Sequence, residues 1–235
     1  MNKSLLTSVF LLLSPFCFSQ KIDAQDLIEK SIKAHDPNTK FEKLKYAFEY
    51  QIVRDGAPTR YFEVAFNRPK DIFVYSVKSD SVSFQQKLEK GVCDLTLNES
   101  KIIPEISAKR YQIDCERTKY LKSVYTYLFG LPFKLKDPGV MISDEIKEVS
   151  FNQKNSYEVA VSFEKGIGTD RWFFYFDQST YLLNGYKFIH DSAKNDGEFI
   201  FLEDYHSYNG ILYPRIKKWH WNQTEQHFRT DKILN

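Results

Sequence analysis

Over residues 45–98, and again from residue 145 onward, the chain repeats one pattern: short runs in which apolar and polar residues alternate, separated by turn formers. Tyr46, Phe48, Tyr50 and Ile52 alternate with Ala47, Glu49, Gln51 and Val53. Asp55-Gly56 then turns the chain, and Phe62, Val64 and Phe66 repeat the period. Successive strand side chains face opposite sides of a sheet, so each run presents one greasy face. Further runs fall at Ile72–Lys78, 82–88 and 92–98, the last two divided by Lys90-Gly91. After residue 144 they resume at 145–151, 156–163, Arg171–Asp177, 182–190, 198–206, Ile211–Trp221 and 228–233. The short connections predict antiparallel neighbours. About ten strands are too many for one flat sheet, and a twisted sheet of that size curls or closes. The expected core is a large curved antiparallel sheet, a half-barrel or a barrel.

Two segments carry helical spacing instead. In residues 24–34, Leu27, Ile28, Ser31 and Ile32 share a face, Asp23 is placed to cap the first turn and Pro37 blocks continuation. Over residues 113–129, Tyr120, Leu121, Val124, Tyr125, Leu128 and Phe129 recur at three- and four-residue spacing until Gly130 and Pro132. The fold class is therefore α+β, with helices covering one face of the sheet.

The amino terminus reads as a secretory signal peptide spanning 1–19. Lys3 supplies a positive start, and residues 5–18 form an apolar stretch too short to span a bilayer. Cys17 and Ser19 fit a signal-peptidase site that leaves Gln20 as the new terminus. A lipoprotein acylated at Cys17 is disfavoured by Phe16 immediately before it. Residues 20–235 have the length of a single domain, without a linker or repeat. The expected address is the periplasm or the extracellular medium.

The chain has 33 basic and 31 acidic residues. This balance, with no basic stripe, argues against nucleic acid as a partner and against adhesion to anionic lipid, and no segment marks an integral membrane protein. Once Cys17 is removed, Cys93 and Cys115 are the remaining cysteines, and an oxidising compartment favours joining them in a disulfide; two buried thiols are the alternative.

Residues 127–139, 172–177 and 190–198 resemble segments of an uncharacterised family of exported proteins common in Bacteroidetes. The order of elements, a helix, then strands, a helical insert and hairpins to the end, is also similar to that of periplasmic lipoprotein carriers of half-barrel form. The resemblance implies an exported half-barrel and carries no catalytic residue with it.

No nucleophile elbow, His-Glu-x-x-His, phosphate loop or calcium loop occurs, and no cofactor or metal set is apparent. Two pairs, His35-Asp36 and His190-Asp191, end predicted elements and would support a hydrolase or metal-dependent enzyme if their loops met. The 191–197 loop is first a strand connection, with Asp191, Lys194, Asn195 and Asp196 as rim groups if it borders a cavity. The strongest signal is aromatic: 20 Phe, 15 Tyr and 3 Trp. In Trp172, Phe173, Phe174, Tyr175 and Phe176 both faces of one strand are apolar, so both must be covered. A concave face built from Phe62, Val64, Phe66, Trp172, Phe174 and Phe176 would accept an acyl chain or a similar hydrophobic small molecule; equally, aromatics fill packed cores. The leading expectation is a non-enzymatic exported binding protein holding lipid in a curved-sheet cavity. A structural or envelope-interaction module is a further alternative.

Overall fold

The structure, a computed structural model, describes residues 22–166 and 168–235. The expected signal peptide, with Lys3, Cys17, Ser19 and the cleavage that leaves Gln20, lies outside the described residues.

Twelve strands form one antiparallel sheet: β1 (Lys45–Arg54), β2 (Arg60–Asn67), β3 (Ile72–Lys78), β4 (Ser83–Glu89), β5 (Val92–Leu97), β6 (Val140–Phe151), β7 (Lys154–Phe163), β8 (Arg171–Asp177), β9 (Leu183–Ile189), β10 (Gly197–Tyr208), β11 (Ile211–Trp221) and β12 (His227–Ile233). Their order is β5-β4-β3-β2-β1-β12-β11-β10-β9-β8-β7-β6. The chain meanders outward from β1 to β5, crosses to the far edge and meanders back. β12 pairs with β1, placing Ile233 opposite Tyr50 and Asp231 opposite Ile52. Edges remain at β5 and β6, so the curved sheet is an unclosed half-barrel.

The alternation seen in the sequence sets which face turns inward. In β1, Phe48, Tyr50 and Ile52 are buried while Glu49 and Val53 are exposed. The register sets Phe48 opposite Val64 and Tyr50 opposite Phe62, so the inner side chains of neighbouring strands meet. Each fully buried aromatic side chain of this kind contributes about 2–3 kcal/mol.

Helices cover that inner face. In α1 (Ala24–His35) Asp23 caps the first turn, its carboxylate accepting from the Asp26 amide at 2.7 Å. Leu27 and Ile28 pack there with Val159, Phe174, Phe176, Leu183 and Ile200. In α3 (Cys115–Gly130) Asp114 caps the Arg117 amide at 2.7 Å, so the helix starts two residues later than its spacing suggests. Its Leu121, Tyr125 and Phe129 pack on Phe48, Tyr50, Phe62 and Phe66. Between β5 and α3 lies a helix the periodicity did not reveal, α2 (Glu105–Tyr111). It buries none of its residues, so it has no apolar stripe to detect. Gln112, in the left-handed region at φ 54°, separates it from α3.

Strand β6 begins at Val140, earlier than the alternation indicates, because a bulge between Ile142 and Ile146 breaks the period. That bulge and the charges Asp144, Glu145, Lys147 and Glu148 blunt an edge otherwise open to pairing. At the other edge Cys93 of β5 is disulfide-bonded to Cys115, the first residue of α3, with Cα atoms 5.8 Å apart. Among the described residues no helix is long and apolar enough to cross a membrane.

Candidate ligand site

Where α2 and the first turns of α3 stand over β2 to β4, the inner face is open, and a cleft of about 500 Å³ lies between them. Alternation and register build its floor. Phe62 of β2, Tyr75 and Val77 of β3, and Phe84 and Gln86 of β4 share the inner face, with Tyr75 opposite Gln86 and Val77 opposite Phe84. Ring centroids lie 5.0 Å apart for Phe62 and Tyr75, and 5.9 Å apart for Phe84 and Tyr111 of α2. Leu121 supplies the wall from α3. Thr118 donates to the buried Gln86 amide oxygen at 2.9 Å, pinning α3 to β4. The volume falls within the range of small-molecule sites, and Phe62, Tyr75, Val77 and Phe84 give the floor an apolar part beside the Gln86 amide.

The rim is cationic. Arg60, two residues before Phe62 and on the same face, joins Arg110 and Arg117, and Lys78, of outer parity at the end of β3, borders both this cleft and the outer hollow; among the described residues no Asp or Glu lines the cleft. Burial pushes the Tyr75 hydroxyl upward in pKa, while Arg60 and Arg117 pull it the other way. A larger hollow of about 600 Å³ lies on the outer side of β1 to β5. Glu49, Glu63, Ser76, Gln85 and Thr96 line it, making it unsuited to an apolar ligand.

Behind Phe62, one side chain deeper, sits a buried charged cluster. Arg229 holds both Asp231 oxygens at 2.5 and 2.6 Å, Trp219 Nε1 donates to Oδ2 at 3.1 Å, and the Tyr50 hydroxyl donates to the same oxygen at 3.3 Å. Lys217 Nζ donates to the Tyr50 hydroxyl at 3.4 Å and lies 4.9 Å from the Phe129 ring centre. Burial lowers the Lys217 pKa to about 8, with Asp231 opposing and Arg229 reinforcing the shift. The signal for this cluster was present in the sequence: Lys217 shares the parity of Tyr213 and Trp219, a charge on an apolar face.

The residues singled out from the sequence are divided by the structure. Phe62 lines the cleft, while Val64 and Phe66 are buried beneath α3. Phe174 and Phe176 are packed under α1, and Trp172 is closed in by Tyr127, 5.4 Å away, and Phe188, 4.7 Å away. The opposite face of β8 is covered as well, since Phe151 stacks on Tyr175 at 3.7 Å. The loop candidates bond among themselves and to the β11–β12 turn: Asp191 pairs with Lys194 at 3.2 Å, Asp196 accepts from the Asp191 amide, and Asn195 donates to the Asn222 carbonyl. None of these four residues lines the cleft.

The two His-Asp pairs stand apart. His35 is buried beside Tyr205, with Nδ1 2.8 Å from the Ser31 carbonyl, and desolvation lowers its pKa to about 4. Asp36 accepts from the Phe41 amide. His190 is exposed and pairs with Asp170 at 2.9 Å, next to the start of β10. Tyr205 is eight residues along that strand from Gly197, a separation of about 26 Å at about 3.3 Å per residue. Among the described residues no cluster of three or more His, Cys, Asp or Glu suits a metal ion.

With this geometry in place, the chain can be set beside known proteins. Residues 4–235 match a family of unknown function, DUF6503. The chain belongs to that family. No curated protein matches it in sequence. Among solved structures, this DUF6503 chain is similar to a LolA superfamily protein from Nitrosomonas europaea, at 10% identity over 91% of this chain and 92% of that one, with a TM-score of 0.52. It is similar to a domain described as an outer membrane lipoprotein-sorting protein, from Vibrio parahaemolyticus, at 12% identity, 88% and 89% coverage and a TM-score of 0.51. A DUF1329 family protein from Desulfovibrio piger gives 13% identity, 90% and 91% coverage and a TM-score of 0.53. At these identities the likeness is one of fold: the DUF6503 chain has the LolA-like half-barrel.

Proposed function

We propose that this chain is a non-enzymatic carrier that shelters the apolar part of a lipid or lipid-modified ligand in the cleft between β2–β4 and the α2–α3 wall. The observation that carries the reading is the cleft of about 500 Å³ over the inner face, where Tyr75 and Val77 are half-buried above the buried rings of Phe62 and Phe84. Water against such a floor is released when an acyl chain covers it, at about 25 cal/mol per Å². The LolA-like fold of the structural neighbours is consistent with this role, and one of them is described as lipoprotein-sorting. The working compartment proposed is the periplasm or the extracellular medium, reached by cleavage after Ser19; a disulfide between Cys93 and Cys115 accords with it.

Native mass spectrometry of the protein purified from its own exported fraction tests the proposal. Expected is an adduct that extracts as lipid, and its loss in Val77→Trp, which fills the cleft floor. Delipidated wild-type protein that takes up no acyl-chain probe would refute it.

A further inference from the structure

We propose that the cleft selects an acidic amphiphile, whose carboxylate or phosphate headgroup is held at the rim by Arg60, Arg110, Arg117 and Lys78 while its chain lies on the aromatic floor. The inference rests on the carrier reading and adds the ligand's charge to it.

Basic and acidic residues are nearly equal in number, 33 against 31, so a patch of one sign is not a by-product of composition. Of the five arginines elsewhere among the described residues, Arg68, Arg215 and Arg229 meet Glu42, Asp204 and Asp231, while Arg54 and Arg171 lie over the Phe228 and Phe173 rings. Among the described residues, Arg60, Arg110, Arg117 and Lys78 have no carboxylate within 4 Å, and none lines the cleft they surround. Arg110 and Arg117 lie over the Tyr111 and Tyr120 rings, and cations lining one opening without a counter-ion attract an anion there.

Their origins make the convergence structural. Arg60 comes from the start of β2, Lys78 from the end of β3, Arg110 from α2 and Arg117 from the first turn of α3. Four separate elements thus deliver a cation to one opening. Three of the four are guanidiniums, whose planar forks match carboxylate and phosphate oxygens in pairs. Immediately beneath them the floor is apolar, with Tyr75 near both Arg60 and Arg117. A cationic ring above a greasy cleft complements a molecule with an anionic head and an apolar tail. A wholly neutral lipid would leave the ring unused, and a bare anion would leave the floor unused.

The test is calorimetric titration of the delipidated full exported chain with three probes: monopalmitoylglycerol, the same molecule carrying a phosphate, and inorganic phosphate. The expected result is that the phosphorylated lipid binds at least tenfold more tightly than its neutral parent, with an advantage that shrinks as salt rises. Inorganic phosphate alone should bind at least a hundredfold more weakly than the phosphorylated lipid. In the double variant Arg60→Gln, Arg117→Gln the preference should fall to within twofold while the neutral lipid binds as before. An unchanged urea midpoint in that variant shows that the fold is intact. Equal binding of the two lipids overturns the headgroup inference and leaves the carrier reading standing. Inorganic phosphate binding as tightly as the phosphorylated lipid also overturns it, in favour of a simple anion site. If neither lipid binds, the carrier reading falls and takes this inference with it.

Discussion

Replacing Lys217 with Met removes a charge from the middle of the inner face while keeping a similar side-chain length. The ammonium lies 4.9 Å from the Phe129 ring centre and 5.4 Å from that of Tyr50, and the Tyr50 hydroxyl at 3.4 Å is its hydrogen-bond partner. Asp231 is engaged by Arg229. Burial accordingly lowers the Lys217 pKa from 10.5 to about 8. At about 1.4 kcal/mol per pKa unit, the folded state disfavours the charged lysine by about 3 kcal/mol. The folded pKa lies below the unfolded one, so the unfolded chain binds the extra proton between them. Stability is then greatest, for this group, above pH 10.5, and is lost as pH falls through about 8. Between about pH 7.5 and 9.5 the wild-type unfolding free energy should rise by about 2 kcal/mol from this group alone. Lys217→Met should lack that rise and be more stable near pH 7.5 by about 2 kcal/mol, since replacing a poorly paired buried charge by an apolar group is commonly stabilising. Tyr50 and Tyr186, whose pKa values burial raises, oppose the trend mainly above about pH 10, where unfolded tyrosines ionise. Urea titrations followed by tryptophan fluorescence, with Trp219 in the same cluster, measure both quantities. A Met variant less stable than wild type near pH 7.5, or one that retains the full alkaline rise, would refute the reasoning.

Three further outcomes are expected. His35, held at a pKa of about 4, destabilises the fold as pH falls through its unfolded value of 6.5; wild type should lose about 3 kcal/mol more than His35→Phe between pH 7 and pH 4, read by urea midpoints. In Gly185→Ala the new Cβ would clash with the Ile200 carbonyl and the Phe151 ring; a cost of about 1–3 kcal/mol, with loss of near-ultraviolet circular dichroism from the Phe151–Tyr175 stack, should follow. Replacing Cys93 and Cys115 with Ser should lower stability by about 3 kcal/mol for a loop of this length, and weaken acyl-probe binding in the same titration; unaltered binding would show that the α2 wall holds without the bridge.

Much of the sheet was legible because strand parity is local. Phe48, Tyr50 and Ile52 declare the inner face of β1 within a few residues, and Phe62, Val64 and Phe66 declare that of β2. The face of α1 is equally plain in Leu27 and Ile28. The strand Arg171–Asp177 shows where such reading stops. Its aromatic run correctly signalled that both faces are covered, by α1 on one side and Phe151 on the other. Aromatic density reports burial, however, and burial is the same whether a ring lines a cavity or fills one. The densest run lies in a packed region, and the cleft opens instead over Phe62, Tyr75, Val77 and Phe84, which are spread across three strands. Arg60, Arg110 and Arg117 are ordinary surface charges in sequence, and only the topology brings them to one opening.

The position of that opening follows from a failure of amphipathicity. Along α3, Leu121, Tyr125 and Phe129 fill the space over β1 to β3, and each turn of the helix closes the half-barrel a little further. Continuing toward β4 and β5, the next element is α2, and a helix without a buried side chain cannot plug the space beneath it. Such a helix is also poorly anchored, because short helices owe most of their stability to a packed face. The Cys93–Cys115 bond spans the segment that contains it and ties the β5 edge to the start of α3. Ile113, two residues before Cys115, is buried against Phe84 and Leu97. The α2 wall is thus held through the segment that follows it rather than by its face, leaving Tyr75 and Val77 half-buried beneath it and the rim charges free to converge. The proposed carrier must bind a large apolar group without losing its fold when empty, and a wall fixed at one end, over a sheet packed elsewhere, meets both conditions.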